Sequence, residues 1–443
     1  MENLKAGFAR IDITPPIGHN MSGYYHERLS EGILDPLLAT AVAVNDGKTT
    51  AVIISVDVIG LRQEICDLIR DEISKRYDIS REAVFISCTH THLAYPATDL
   101  FDEKYHGLML SLIDKLSGVA KMAIDDMKPS EMYTNSAETP VDISFIRRRK
   151  TKDGKLVANT GKFDTSVETF PDGDADRRVA LINFVRENAP EIAIINFQVH
   201  PDVVGGLELS ADYPGFVRRT YEAAVENSLC MYINGAQGDT NHINVETPDG
   251  ELKAGYEFSR HMGRTIAGTA MSLRAMAKKT KATPIRAYQK NTNVPHNKAT
   301  EEELREARVI VDLHESGRDD EIPQKGDLIP ILNLVVSTRM VKLENAPDFK
   351  ELYVSGLSIG DFAILGLPGE PFTDIGRRIK ESSKFKMTFI SCCANGYEGY
   401  FPNDSTYADG GYEVLSARYK EGTAKKLTET GKEVLDNLFF AQE

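Results

Sequence analysis

Residues 83–92, AVFISCTHTH, and residues 192–202, IAIINFQVHPD, share one form: a short apolar run rich in branched side chains that ends in chemically active polar residues. Four more stretches repeat it: AVIISVD (51–57), LCMYINGAQGD (229–239), FAILGLPGE (362–370) and MTFISCCANGY (387–397). Each reads as a strand buried on both faces, because the apolar residues do not alternate with polar ones. Amphipathic helices are expected between them. Residues 62–77 put Ile65, Leu68, Ile69 and Ile73 on one face, and residues 105–122 carry Leu108, Leu112, Ile113 and Leu116. Residues 256–277 and 415–438 are further helix candidates. Strand–helix alternation predicts a layered α/β fold with a largely parallel or mixed central sheet, its active site at the C-terminal ends of the strands.

The 443 residues are expected to form a single catalytic domain. Within it, 286–350 is more charged and reads as an insertion or lid, with a helix opening at Thr300 and a capping box completed by Glu303. Residues 148–176, rich in Lys, Asp, Gly and Thr, read as a long loop or hairpin near the site. The net charge of −14 argues against nucleic acid, whose recognition needs a basic footprint, and offers no attraction to anionic lipid. No stretch is apolar enough for a signal peptide or a bilayer span. The five cysteines are scattered without C-x-x-C spacing, which predicts buried thiols and a cytoplasmic protein.

Asp57, His90, His92, His200, Asp202, Asp239 and Glu370 each follow an apolar run directly, and the ends of parallel strands converge in space. Residues i and i+2 of a strand share a face, so His90 and His92 can reach one point. Taken alone, the pair is equally compatible with two hydrogen-bonded histidines, and His200 with a satisfied core histidine. Glu370, between Gly and Pro, is poorly explained as a surface charge, although it could cap a helix. Two imidazoles and a carboxylate are a common ligand set for catalytic zinc. The glycine-rich turn 234–242, NGAQGDTNH, could approach a ligand closely with its backbone, or could be a plain tight turn. Tyr397, Tyr400, Tyr407 and Tyr412 sit in a Gly- and Asn-rich stretch that suits pocket residues or simple loop packing.

In this order, GFARIDITPPIG, MSGY, GILDPLLATAVAVNDG, SVDVIG, CTHTH, FQVHP, NGAQGD, LPGEPFT and NGYEGY…TYADGGYE resemble the catalytic domain of the neutral/alkaline non-lysosomal ceramidases, from residue 6 to about 413. The resemblance implies a zinc ion held by His90, His200, Glu370 and Tyr400. It implies that His92 and Tyr412 contact substrate, and that an arginine supports it: Arg147, or a neighbour in IRRR. It implies hydrolysis of a small-molecule or lipid-like amide, with Asp239 and Asn241 in the active-site loop. The chain departs from the pattern in three places. Asn241-His242 stand where the family has Ser-Pro, Leu93-Ala94-Tyr95 stand where it has Ser-Gly-Pro, and no C-terminal β-sandwich is expected. These departures keep two alternatives open: a zinc hydrolase of a non-ceramide ester, lactone or sugar-linked compound, with Asp202 and His242 adapting the pocket, and a catalytically silent zinc- or ligand-binding protein.

Overall fold

The computed structural model describes residues 3–97, 105–158, 168–248, 250–325 and 329–441. All six runs are strands: Thr50–Val56, Val84–Cys88, Glu191–Phe197, Ser228–Asn234, Phe362–Gly366 and Met387–Ser391. They associate as three parallel pairs: Thr50–Val56 with Val84–Cys88, Glu191–Phe197 with Ser228–Asn234, and Phe362–Gly366 with Met387–Ser391. Parallel neighbours need a crossover, and each pair has a helix in that position. The three helices are Gln63–Tyr77, Asp212–Ala224 and Thr373–Ser382. The fold is therefore α/β with three β-α-β units at its centre.

Around these units the remaining long pairings are antiparallel, so the sheets are mixed. One nine-stranded sheet runs from Ser228–Asn234 through Glu191–Phe197, Arg178–Arg186, Lys128–Glu138, Lys5–Asp12, Leu38–Asn45 and Thr50–Val56 to Val84–Cys88, with Lys278–Lys279 added at Lys128–Glu138. A second sheet orders Ile285–Pro295, Phe349–Ile359, Phe362–Gly366 and Met387–Ser391. The largest apolar cluster joins both sheets, and includes Val52, Ile54, Phe85, Ile86, Ile364 and Phe389.

The C-terminal ends of the three units are tied to one another. The Cys392 amide donates to the Asn234 carbonyl at 3.0 Å and the Cys88 amide to the Cys393 carbonyl at 3.3 Å. Asn196 Nδ2 reaches the Ile390 carbonyl at 3.1 Å, and the Asn395 side chain accepts from the Ile86 amide at 2.9 Å. Peptide groups left over where strands stop are satisfied by the neighbouring unit, as burial requires. This knot fixes where the residues following each strand must meet.

Elsewhere the structure redraws some boundaries. Helices Gln63–Tyr77, His106–Asp125 and Tyr256–Ala275 match expectation closely. The helix expected over 415–438 is two, Tyr412–Ser416 and Thr423–Phe440, separated by a stretch in which Gly422 takes a left-handed φ of 93°. Asp212–Ala224 went unanticipated because Pro214 and Gly215 break its apolar period, yet a proline in the first turn costs no internal hydrogen bond. Within 286–350, Ile285–Pro295 is a sheet strand paired along its length with Phe349–Ile359. Between them stands a hairpin of helices Glu301–Glu315 and Pro330–Leu343 with a small core of Ile310, Ile322 and Leu334. Its capping box is present: Thr300 Oγ1 accepts from the Glu303 amide, and the Glu303 carboxylate accepts from the Thr300 amide. Residues 148–176 hold a hairpin, Arg148–Thr151 with Leu156–Ala158, and the strand Thr169–Pro171; residues 159–167 of that stretch lie outside the described residues.

Candidate metal centre

His90 and His92 converge, but not as strand neighbours. The strand ends at Cys88, and His90 adopts a left-handed φ of 71°, a conformation costly for a non-glycine residue. Its surroundings hold it there. The His90 amide donates to the Val58 carbonyl at 3.0 Å, and Nδ1 lies 2.6 Å from the Ile59 carbonyl. Beneath, Thr89 Oγ1 bonds Asp57, which Arg218 clamps with both arms of its guanidinium in a buried ion pair. An imidazole nitrogen facing a carbonyl oxygen can only donate, so Nδ1 carries a proton and Nε2 is the nitrogen turned to the cluster.

His200 follows Glu191–Phe197 and Glu370 follows Phe362–Gly366, so each ligand candidate leaves a different unit. The distances among their facing atoms are close to equal. His90 Nε2 is 3.2 Å from His200 Nε2 and 3.3 Å from Glu370 Oε2, and His200 Nε2 is 3.5 Å from Glu370 Oε2. His92 Nε2 stands 3.4 Å from His90 Nε2. Donors bonded at about 2.0–2.1 Å to one tetrahedral zinc lie roughly 3.3 Å apart, so this spacing is that of a coordination shell. The three imidazoles form a buried cluster with their ligand atoms within 4.8 Å of one another. Glu370 Oε2 is buried without a hydrogen-bond partner, while Oε1 accepts from Tyr397 Oη at 2.9 Å. An orphaned carboxylate oxygen aimed at converging imidazole nitrogens is the signature of a cation site.

The electrostatics agree with that reading. Burial, then the neighbouring cationic groups, pushes the His92 and His200 imidazoles well below their ordinary range, so both are neutral at neutral pH. Burial alone would raise the Glu370 carboxyl; His90, Arg147 and the Tyr397 hydroxyl outweigh it and keep it ionised. Replacing Tyr397 with Phe removes the group that orients Glu370. We expect the affinity of the site for a divalent metal ion, measured by competition with a chromophoric chelator, to fall roughly 10–100-fold.

Tyr400 pairs in register beside Glu370 and stacks on His200 with 6.4 Å between ring centroids. The Arg147 guanidinium lies 5.3 Å from the Tyr400 ring and 5.7 Å from the Tyr412 ring. Arg147 also donates to Glu413 at 2.7 Å and to the Gly238 carbonyl at 2.9 Å. Burial works against its charge, but Tyr400 and Glu413 hold it firmly protonated. The register of IRRR is thereby visible: Arg147 faces the tyrosines, Arg148 bonds Glu413 and the Gly410 carbonyl, and Arg149 bonds Thr169.

Asp239 has a different setting. Its carboxylate accepts from the Thr373 amide and hydroxyl, both at 2.8 Å, at the start of Thr373–Ser382, and its carbonyl accepts from the Arg147 amide at 2.9 Å. It ties the Arg147 and Glu370 segments together. Asn241 is buried, and its Oδ1 accepts from the Ile243 amide at 3.1 Å. The glycine-rich turn does allow a close approach, though to Glu370: a Cβ on Gly238 would come 2.4 Å from the Glu370 carbonyl oxygen.

The N-terminal loop supplies residues that sequence reasoning passed over. Gly23 takes φ 98°, and a Cβ there would meet His92 Nδ1 at 2.5 Å. Arg28 donates to the His92 and Ser22 carbonyls, both at 2.6 Å, with its guanidinium 4.0 Å from the Tyr24 ring centroid. Tyr24 Oη donates to Asp202 at 2.8 Å, and the Tyr25 and Tyr412 hydroxyls bond across the site. The only sequence trace of this wall was the run MSGYYHER, a glycine before paired aromatics. For Tyr397 the sequence leaves pocket and loop packing open, and Glu413, fully buried between Arg147 and Arg148, carries no signal of its own.

No family model matches the chain, and no curated protein matches it by sequence. Solved structures do. The neutral ceramidase from Pseudomonas aeruginosa superposes with a TM-score of 0.77 at 16% identity, over 99% of this chain and 75% of that one. A ceramidase complexed with C2 gives 0.75 at 15% identity, over 100% of this chain and 76% of that one. The chain carries the neutral-ceramidase fold along its whole length.

Proposed function

We propose that the protein is a zinc-dependent hydrolase that cleaves an amide, N-acyl bond. His90, His200 and Glu370 hold the metal, Tyr400 completes the set, and His92 stands beside it toward the substrate. The observation that carries this reading is the near-equal 3.2–3.5 Å spacing of the His90, His200 and Glu370 donor atoms around an unpartnered carboxylate oxygen. Bound zinc supplies a Lewis acid that polarises a carbonyl and acidifies water.

The chain's own groups do the rest. Arg147 and Tyr412 offer a cation and a hydroxyl beside Tyr400, where charge developing on a carbonyl oxygen would be stabilised. His92, neutral and buried, takes or returns a proton through Nε2 or orients the reacting group. Tyr24, Tyr25 and Arg28 line the rim of the site through their contacts with Asp202, Tyr412 and the His92 carbonyl. No described helix is long and apolar enough to cross a membrane, and the five cysteines are buried and free. The thiols support a reducing compartment, the cytoplasm, as the place of action.

Elemental analysis of the purified chain, followed by a panel of chromogenic amides and esters, tests the reading. We expect about one zinc per chain and turnover of amides that a chelator abolishes and zinc restores. Protein without metal, or with metal but inert toward every amide, would remove the proposal.

A further inference from the structure

The metal centre and the oxyanion side leave Asp202 without a part. Its Oδ1 lies 3.7 Å from His92 Nδ1 and accepts from Tyr24 Oη at 2.8 Å. The backbones on either side of this approach are tied together: the His92 amide donates to the Pro201 carbonyl at 3.3 Å. The chain just past Asp202 is pinned as well. The fully buried Asp212 carboxylate accepts from the Val203 amide at 2.9 Å and the Val204 amide at 3.2 Å. The N-terminal loop closes over the same ring nitrogen, since a Cβ on Gly23 would come 2.5 Å from His92 Nδ1. Nδ1 is therefore buried, makes no hydrogen bond at its present spacing, and faces a carboxylate oxygen.

We propose that Asp202 is a positioning residue for His92: it keeps the imidazole proton on Nδ1 and so leaves the Nε2 lone pair turned toward the centre. This deepens the hydrolase reading and rests on it. A carboxylate only accepts, so a bare Nδ1 would set lone pair against lone pair, whereas Nδ1–H meets an acceptor. The partner at one ring nitrogen fixes what the other presents. Oδ1 has lone pairs enough for Tyr24 and His92 at once, and Tyr24 aims it. The 3.7 Å gap is longer than a hydrogen bond, as such contacts often are before substrate is bound, and the Asp202 side chain is 35% exposed, with room to close it. Nε2 lies 3.4 Å from His90 Nε2, at the edge of the donor cluster. Unprotonated there, it takes one proton from the attacking water as the water oxygen bonds to the carbonyl carbon. It returns that proton to the amide nitrogen, which leaves with the electron pair of the broken C–N bond, and the second water hydrogen stays on the acid product.

The test reads the tautomer itself, by nitrogen-15 NMR of the zinc-loaded full chain labelled at histidine, with the His92 signals assigned by their loss in His92→Ala. We expect Nδ1–H and a bare Nε2 in the wild type. Asp202→Leu, which removes the acceptor and admits no water in its place, should lose that preference. Its kcat should fall roughly 10–100-fold, with KM within about twofold and the zinc content unchanged. Asp202→Asn keeps an oxygen in the place of Oδ1 and should retain most of both the tautomer and the rate. A merely structural role would lower zinc content or the melting temperature without moving the proton. An Nε2–H imidazole in the wild type overturns the assignment, and that spectrum decides even where a variant does not fold. So does Asp202→Leu with the wild-type tautomer or with kcat within twofold of wild type, and so does Asp202→Asn as damaging as Asp202→Leu. If the wild type hydrolyses no amide, the hydrolase reading fails separately, and the tautomers alone decide the role of Asp202.

Discussion

Replacing His90 with asparagine is expected to empty the metal centre while leaving the fold in place. Asparagine is chosen because residue 90 sits at φ 71°, where alanine would add backbone strain and asparagine is tolerated. Zinc content should fall from about one per chain to near zero, since the remaining donors no longer close a shell. Hydrolysis should fall by roughly 10³-fold or more, the equivalent of several kcal/mol of Lewis-acid stabilisation. The check is elemental analysis and kcat on the same preparation, with a thermal melt as control. Full zinc occupancy in the variant would show that His90 is not a ligand. His92→Ala separates the two roles proposed for the histidine pair: it should keep its zinc and lose turnover.

Replacing Arg147 with methionine carries the second large effect, and it divides into two parts. The first is chemical. A buried cation between Tyr400 and Tyr412 is removed, and kcat should fall roughly 10²–10³-fold, the usual worth of a preorganised donor at a developing oxyanion. The second is structural. Glu413 is fully buried and shared between Arg147 and Arg148, so deleting one partner leaves its charge half-compensated. Breaking such a pair costs about 3–5 kcal/mol. Adding Glu413→Gln should restore much of the stability without restoring the rate, which separates the two parts. Arg147→Lys keeps the charge but loses the fork that reaches Glu413 and the Gly238 carbonyl together, so it should rescue only partly.

The strands that carry the centre were legible because they are buried on both faces, and unbroken apolar runs announce that. Their pairing was less so. Which strands run parallel depends on the intervening helix, and two of the three crossover helices hide their period. Asp212–Ala224 opens with Pro214 and Gly215 inside its first turn, and Thr373–Ser382 starts at once after the strand-end motif. The donors His90, His200 and Glu370 could be proposed because a charged or imidazole side chain after a buried strand has little structural use. The His90–His92 convergence does not come from a shared strand face: it arises from a left-handed turn past the strand end, which no two-residue period encodes. Tyr24, Tyr25 and Arg28 were invisible for a plainer reason. They reach the site from a loop almost at the start of the chain, and nothing in a tyrosine pair says what it will face.

The knot that joins the three strand ends separates what must stay constant from what can vary. Ligand geometry is set where Cys88 bonds Cys393 and Cys392 bonds Asn234 through their backbones, so it tolerates many side-chain changes around it. Selectivity belongs to segments suspended from that knot: the N-terminal loop, the turn containing Asn241 and His242, and the tyrosine-bearing stretch. Such a scaffold can exchange one substrate for another by editing its rim alone. Its descendants are then expected to share a metal while disagreeing about the bond they cut.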